Sequence, residues 1–490
     1  MNAMPTFKLR LGGAGQAIIF PIYKNSFDHS YSSGLLNSFL ERHEPRQRMG
    51  ERGETTWFYG RGEQPHYLFV GMGEAGQAAA FRLTEAAGAA GRAAEREGLQ
   101  SAVISFEGLG VRAGIDADEE AFVAAWVEGW LLGTYSFDRY RSKKTHRSVT
   151  SIFFEAEGKE RLTEAVRLGE IRAQGTMLAR DLTNEPSNAL TPLKFAERVQ
   201  EHFEGGAASV AIKTGEELER LGMAGLPAVG RGSINPPVFM DFRYCTDPAI
   251  PLTVLIGKGI TFDTGGISLK RDNDISDMRM DMAGAAAVIG ALSIIAGRGI
   301  PANIAVLVAA AENVPDANAL LPGEVLRYAN GTTVQVGNTD SEGRLVLADA
   351  LVYAGQIGAK RVVDMATLTY SCGGALGSLL AGIWGDDSLV QSIRTVGEGV
   401  GEKLWQLPLV DEYEAYLKSD YADICNISRV GEAGAITSAL FLRKFTSPSY
   451  KWAHIDMNAL KESSDSKGHL VVGATGYGTR LLAEWIASGV

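Results

Sequence analysis

The run LTVLIGKGITFDTGG, residues 252–266, decides the fold of this chain. Its first six residues form a continuous apolar segment, which is typical of a buried strand. Lys258 would then stand at the carboxyl end of that strand and Asp263 in the following loop. Open α/β sheets bind ligands at the carboxyl ends of their strands. Both residues are therefore candidate site residues.

Similar apolar runs alternate with helical periods along the whole chain, at residues 67–71, 101–106, 151–155 and 303–310. This alternation predicts an α/β fold. A chain of 490 residues exceeds what one core normally serves, so we expect two domains. We expect a smaller N-terminal α/β domain at 1–158 and a linking helix at 159–183. A larger α/β catalytic domain would follow at 184–490, with a central mixed, mostly parallel sheet flanked by helices.

The composition argues for an ordinary globular protein of a reducing compartment. The formal net charge of −11 argues against a general nucleic-acid binder, which would present a basic surface. Three cysteines without a CxxC pair suit a reducing compartment. The N-terminus lacks a signal-peptide pattern, and no stretch reaches the length of a membrane span. We expect a cytoplasmic protein with no membrane partner.

Acidic side chains follow or precede several predicted elements. Asp281 precedes an alanine- and glycine-rich helix, and Asp340 and Glu342 follow a strand-like run at 332–336. With Asp263 they make four carboxylates expected at one rim of the sheet. Carboxylates drawn together raise one another's pKa values unless positive charge holds them ionised. The cluster therefore predicts a site for two divalent metal ions, although any one of these acids alone reads better as a helix cap.

Hard oxygen donors suit Mg²⁺ and Mn²⁺, and carboxylates also take Zn²⁺. Two such ions would activate a water and polarise a carbonyl or phosphoryl oxygen. Lys258 would be an unusual ligand, because only the neutral amine can coordinate. The alternative for Lys258 is an ion pair with an aspartate.

The sequence does not favour other kinds of catalytic site. The catalytic half has no HExxH helix, no GxSxG elbow and no GxxxxGK[ST] loop. Lys270 and Arg344 are cations near the acids and would stabilise a developing negative oxygen or hold a bicarbonate-like anion. Their alternatives are a solvated surface position for Lys270 and a charge-balancing contact with Asp340 or Glu342 for Arg344.

At these residues the chain resembles the leucyl aminopeptidase family, the di-metal cytosol aminopeptidases of peptidase family M17. Residues 338–345, NTDSEGRL, are similar to the family signature NTDAEGRL, and 257–266, GKGITFDTGG, to its GKGITFDSGG. Residues 281–286, DMAGAA, match its DMxGAA. The resemblance covers the whole C-terminal domain.

The resemblance implies a role for each matching residue. Lys258, Asp263, Asp281 and Glu342 would hold a readily exchanged metal ion, and Asp263, Asp340 and Glu342 the second. Lys270 would polarise the scissile carbonyl, and Arg344 would hold a bicarbonate that acts as general base toward a metal-bridged water or hydroxide. The substrate's free α-amine would sit on a metal, which restricts cleavage to the N-terminal residue.

The resemblance also implies peptide substrates with leucine-like first residues, Mn²⁺ or Zn²⁺ as cofactors, and a homohexamer. Lys270 and four further residues would contact the substrate: Met278, Thr367, Leu368 and Tyr370. Tyr370 departs from the family pattern, which has glycine there. A large side chain at that position puts the leucine preference in question.

Two alternatives from other classes remain open. Some members of the family act as scaffolds or DNA-associated factors, and some have lost their metal ligands. All five expected ligands are present in this chain, and its acidic balance opposes DNA binding. A two-metal phosphoesterase would share the carboxylates but would not explain a lysine ligand.

Overall fold

The computed structural model describes residues 4–9, 15–24, 26, 34–46, 48–75, 79–109, 119–155, 160–271 and 274–489. The chain forms two compact units. Unit 1 comprises Met1–Gln174 and Ser463–Gly473, and unit 2 comprises Gly175–Glu462 and Ala474–Val490. Both combine helices with a sheet, so the prediction of two α/β domains is confirmed.

Within the described residues, unit 1 holds a six-stranded sheet in the order β1-β6-β5-β2-β4-β3. The strands are β1 (Thr6–Leu9), β2 (Ala17–Ile22), β3 (Thr55–Phe58), β4 (His66–Gly71), β5 (Ser101–Ile104) and β6 (Ser151–Phe154). The helices are α1 (Leu35–Leu40), α2 (Ala79–Arg96) and α3 (Glu119–Gly133). All neighbours pair in parallel except β3 and β4. Phe20 of β2 and Phe69 of β4 share a buried core with Phe39 of α1.

Helix α4 (Glu160–Asn184) contains the division between the units, at Gln174 and Gly175. The helix predicted at 159–183 therefore forms. The division falls inside it rather than at 158 and 184, and Ser463–Gly473 groups with unit 1 although we had assigned it to the C-terminal domain. The domain boundaries at 158 and 184 stay a prediction.

Unit 2 is built on an eight-stranded sheet, within the described chain, in the order β15-β14-β17-β13-β9-β10-β8-β7. The strands of this sheet are β7 (Ser209–Thr214), β8 (Val238–Cys245), β9 (Thr253–Asp263), β10 (Asn303–Asn313), β13 (Arg361–Ala366), β14 (Ala381–Gly385), β15 (Leu404–Gln406) and β17 (Lys451–Asp456). The smaller strands are β11 (Val325–Arg327), β12 (Thr333–Gln335), β16 (Ile424–Cys425), β18 (Glu462–Ser463) and β19 (Gly473–Ala474). The central strands β17, β13, β9 and β10 are parallel, and β8, β7 and β14 add antiparallel pairs. The prediction of a mixed, mostly parallel sheet is confirmed.

The helices of unit 2 are α5 (Pro192–Phe203), α6 (Glu216–Arg220), α7 (Gly225–Gly230), α8 (Ala283–Arg298), α9 (Glu342–Gln356), α10 (Tyr370–Leu376), α11 (Asp387–Val400), α12 (Gly434–Arg443) and α13 (Thr479–Ala487). Val254 and Ile256 of β9 share a buried cluster with Leu345 of α9. Gly257 faces α8, where an added Cβ would lie 2.4 Å from Cα of Ala285. Side chains alternate across a strand, so β9 is covered by α9 on one face and α8 on the other. The alanine-rich surface of α8 permits this close approach.

The strand β9 is longer than the sequence predicts. We expected it to end at Gly257, but it continues to Asp263, so Lys258 lies inside the strand and Asp263 is its last residue. The reason is pairing with β10, whose register extends from Ile304 opposite Thr253 to Asn313 opposite Asp263. Because β10 has the same length as β9, its hydrogen bonds extend β9 beyond Gly257 and Gly259.

The expectation that no stretch has the length of a membrane span was also wrong. By length and composition alone, Ser276–Arg298 is long and apolar enough to cross a membrane. In the structure, 83% of its most apolar window is buried. This segment comprises a 3-10 turn and α8, and its apolar residues pack against the sheet, as in a core helix.

Candidate metal centre

Three carboxylates converge where β9 ends and α9 begins. One oxygen from each of Asp263, Asp340 and Glu342 lies within 4.8 Å of the others. Asp263 is the last residue of β9, Glu342 is the first of α9, and Asp340 lies in the turn before α9. Asp263 and Glu342 are each only 2% exposed. The end of β9 and the start of α9 therefore hold these carboxylate oxygens close together and away from water.

Lys258 and Asp281 complete this cluster. The Lys258 Nζ lies 2.8 Å from Oε1 of Glu342 and 2.7 Å from Oδ2 of Asp281. It also donates to the carbonyl of Thr367 at 3.1 Å. Gly343 makes room for it, because an added Cβ there would lie 2.6 Å from Cε of Lys258. The structure thus brings together all five residues expected to bind metal.

Lys270 lies inside the cluster rather than on a solvated surface, which was the alternative for this residue. Its side chain is 7% exposed, and Nζ lies 2.7 Å from Oδ2 of Asp263. It also forms an ion pair with Asp340. Lys258 and Lys270 therefore supply part of the positive charge that the four acids require.

Two ammonium groups do not balance four carboxylates. Burial, with the charges of Glu342 and Asp281, raises the pKa of Asp263 well above its usual range. Burial raises the pKa of Asp281 to about 6 and also raises that of Asp340. Glu342 alone among the four has a lowered pKa, because Lys258 and Lys270 outweigh its burial. The raised pKa values show that the two lysines do not suffice to keep all four carboxylates ionised, and an added cation would favour their ionised forms.

The donor set fits divalent metal ions. Hard carboxylate oxygens converge on one spot, and within the described chain Oδ2 of Asp281 has no well-aligned hydrogen bond. Lys258 does not fit this donor set while its amine is protonated. Burial lowers its pKa, but Asp281 and Glu342 raise it more, so Lys258 is an ammonium here and would coordinate only after losing a proton.

Asn313 holds Asp263 in place, a contact that sequence analysis missed. Its Nδ2 donates to Oδ1 of Asp263 at 2.8 Å and to the Thr339 carbonyl at 3.0 Å. Asn313 ends β10 directly opposite Asp263. The strand-like run at 303–310 predicted where β10 lies, so a polar residue at its end was a usable signal.

Arg344 is 7% exposed and donates from Nη1 to the Asn426 carbonyl at 2.7 Å. Among the described residues its Nε has no hydrogen-bond partner, and no carboxylate lies within ion-pair distance of its guanidinium. The charge of Glu342 still favours the charged guanidinium, so charge balance without direct contact stays open beside an anion site. Burial lowers the pKa of Arg344 to about 10. A buried guanidinium with an unused donor is suited to an anion.

One cavity connects the acid cluster with the residues expected to contact substrate. Besides the five expected ligands and Lys270, its lining includes Asp277, Met278, Thr367, Leu368, Tyr370, Asn458 and Lys461. Thr367 Oγ1 donates to Oδ1 of Asp281 at 2.7 Å and so joins the two parts. Three lining residues were missed: Asp277, Asn458 and Lys461. Nothing in the local sequence around them marks a site.

Two family models match the chain. That of the cytosol aminopeptidase family, catalytic domain, matches residues 177–483, and that of the same family's N-terminal domain matches residues 24–144. The first match contains every residue of the cluster and the cavity. The second lies within unit 1, where sequence analysis found no signature.

Curated relatives agree over most of the chain. A probable cytosol aminopeptidase of Geobacter sulfurreducens is 39% identical over 454 residues, covering 91% of this chain and 90% of its own. Another, of Chlorobium limicola, is 38% identical over 457 residues, with 90% of each chain covered.

Solved structures agree as well. A tomato leucine aminopeptidase mutant superposes with a TM-score of 0.87 at 28% identity, covering 99% of this chain and 97% of its own. The bottromycin maturation enzyme BotP in complex with Mn gives a TM-score of 0.84 at 33% identity, covering 97% and 99%. The two units and the acid cluster are consistent with these similarities. The chain belongs to the cytosol aminopeptidase family.

Proposed function

We propose that this protein is a metal-dependent aminopeptidase that removes the N-terminal residue of peptides at a two-metal site. The observation that carries the proposal is the convergence of Asp263, Asp340 and Glu342 within 4.8 Å beside Lys258 and Asp281. One ion would bind Lys258, Asp263, Asp281 and Glu342. The other would bind Asp263, Asp340 and Glu342, as the resemblance implies.

Two divalent ions, when bound, supply Lewis-acid polarisation of a carbonyl and lower the pKa of water. The complex of BotP contains Mn, which supports a divalent cofactor here, either Mn²⁺ or Zn²⁺. Lys270 is positioned for a different task. If cations took over its contacts with Asp263 and Asp340, its ammonium would be available to donate to the scissile carbonyl oxygen as that oxygen gains charge.

Arg344 would bind an anion at the edge of the same cluster. Among the described residues its Nε has no partner, and the hydrogen bond from Nη1 to the Asn426 carbonyl orients the guanidinium. Bicarbonate is the anion that the resemblance implies, and it would supply a general base. Arg344 would orient it toward the attacking water.

The family also suggests a homohexamer in the cytoplasm, and we propose both. A preference for leucine-like first residues would rest on Met278 and Thr367, which line the cavity. Asp277 and Lys461 in the same lining instead favour a polar first side chain. None of the described contacts favours a scaffold or DNA-associated role.

A peptide cleavage assay tests the proposal. The metal-loaded protein is incubated with one peptide in free and N-acetylated forms, and the products are followed by mass spectrometry. We expect stepwise release of first residues from the free form only, because the α-amine is required at the metals. Cleavage of both forms, or hydrolysis of a phosphate ester instead, would overturn the assignment. Asp263→Ala serves as the inactive control.

A further inference from the structure

One wall of the cavity carries an ion pair between the largely buried Lys461 and the partly exposed Asp277. Lys461 has a side chain only 11% exposed, and its Nζ lies 3.2 Å from Oδ2 of Asp277. The same Nζ lies 3.3 Å from Oε1 of Glu462. Asp277 and Lys461 both line the cavity. Asp277 belongs to the 3-10 turn Ser276–Met280, and Lys461 follows the turn Asn458–Leu460.

This wall is poorly suited to an aliphatic side chain. An ammonium in a buried position is tolerated only when it is paired and hydrogen-bonded. A leucine side chain that filled the cavity would remove the remaining water from Lys461 and Asp277 and offer them no hydrogen bond. Met278 gives the cavity an apolar portion, but Thr367 and Asn458 add further polar surface.

The pair offers both a donor and an acceptor. Lys461 has three N–H donors, of which two carboxylates can accept two, so one is available to a ligand. Asp277 is 37% exposed at its side chain and has a second oxygen, Oδ1, besides the one that faces Lys461. A ligand reaching this wall would therefore meet positive and negative groups side by side.

We propose that the preferred first residue of the substrate carries a side-chain amide, as glutamine or asparagine does. The amide oxygen accepts from Lys461, and the amide N–H donates to Asp277. A carboxylate side chain would lie against Asp277, and an ammonium side chain against Lys461, so either charge meets repulsion that an uncharged amide avoids. This inference rests on the proposed aminopeptidase function.

The test compares first residues on the wild-type protein. Metal-loaded enzyme is assayed with anilides of glutamine, asparagine, leucine, glutamate and lysine. We expect kcat/KM for glutamine to exceed that for leucine about tenfold or more, since a site built for hydrogen bonds rejects groups that lack them. A best substrate that is leucine, glutamate or lysine would overturn the inference. Release of no residue at all would instead contradict the aminopeptidase function.

Paired substitutions sharpen the test. The double variant Asp277→Leu with Lys461→Met makes the wall apolar and leaves only Glu462, whose side chain is 41% exposed, without its lysine partner. We expect its preference to shift to leucine. Lys467→Met, an exposed lysine outside the cavity, is the matched control and should keep the wild-type order. An unchanged order in a folded double variant would contradict the inference.

A binding measurement keeps the inference testable if the double variant does not fold. Free L-glutamine and L-leucine, as products, are titrated into the wild-type, metal-loaded protein by calorimetry. Tighter binding of glutamine supports recognition by the pair. Equal or tighter binding of leucine contradicts it.

Discussion

The Nζ of Lys258 lies 2.8 Å from Oε1 of Glu342, where β9 passes the first residue of α9. In this arrangement the Lys258 ammonium neutralises the Glu342 carboxylate, which is one of the proposed metal ligands. Lys270 makes the corresponding contact with Asp263 at 2.7 Å. Both lysines therefore act as internal counterions for the acids. A cation entering the site would require Lys258 to lose a proton and Lys270 to give up its contact with Asp263.

Removing a bridging carboxylate should abolish metal binding and activity together. In Asp263→Ala we expect bound metal, measured by elemental analysis, to fall, and turnover to fall about a hundredfold or more. The exposed Asp316→Ala is the control and should behave as wild type. An Asp263→Ala protein with full activity would show that the ligands are assigned wrongly.

Lys270→Met should separate chemistry from metal binding. Lys270 is not one of the proposed ligands, so both ions should remain bound while kcat falls about 10²-fold or more, as when a group that stabilises an oxyanion is lost. Lys194→Met, on the exposed surface, is the matched control. Unchanged kcat in Lys270→Met would remove this residue from the mechanism.

Arg344→Lys tests the anion site. A lysine keeps one charge but lacks the fork of donors, so we expect turnover to fall about tenfold or more with metals still bound. Added bicarbonate should stimulate the wild type more than the variant. Equal stimulation of both proteins would contradict a role for Arg344 in holding the anion.

Asp456 should act as a positioning residue for the cavity. It accepts from Thr369 Oγ1 at 2.7 Å, from the Leu368 amide at 3.2 Å and from the Asn458 amide at 3.2 Å. Asp456→Asn replaces one accepting oxygen by a donor, so we expect KM to rise more than kcat falls, with metal content unchanged. A change in kcat alone would argue against positioning.

Asp349 should make stability depend on pH. It accepts from the Ala224 and Leu226 amides at 2.8 and 2.7 Å, yet burial raises its pKa to about 7. The unfolded carboxyl titrates near 3.9, so the folded protein binds more protons between about pH 4 and 7. Its contribution to stability is present at low pH and is lost as pH rises through 7, by roughly 4 kcal/mol at most.

Asp349→Asn measures this contribution. The difference in free energy of unfolding between wild type and variant, from denaturant titrations at pH 5 and pH 8, isolates the carboxyl. We expect the wild type to lose stability relative to the variant as pH rises. A difference that does not change with pH would show that the Asp349 pKa is not raised.

The sequence predicts the fold class and the acid cluster well because both depend on local signals. A buried apolar run placed β9, and acids beside predicted elements placed Asp281, Asp340 and Glu342 at one rim. The length of β9 was missed because it depends on pairing with β10, which no local pattern encodes. The position of Lys270 was left open because burial comes from tertiary contacts.

The ion pair of Asp277 and Lys461 could not be predicted either, because it too depends on tertiary contacts. Asp277 and Lys461 lie far apart in the chain, and each alone resembles a surface residue. Only folding of unit 2 brings the 3-10 turn before Asp281 next to the residue after Asn458–Leu460. Pairs of opposite charge that meet in one wall of a cavity carry no sequence signature.

The most direct test of the central claim is a metal titration. The protein is stripped of metal, and release from an aminoacyl anilide panel is measured while Mn²⁺ or Zn²⁺ is added stepwise with bound metal quantified in parallel. The two-metal account predicts no release without metal and a maximum at two ions per chain. Full activity in the metal-free protein, or two bound ions with no release from any residue, would contradict it.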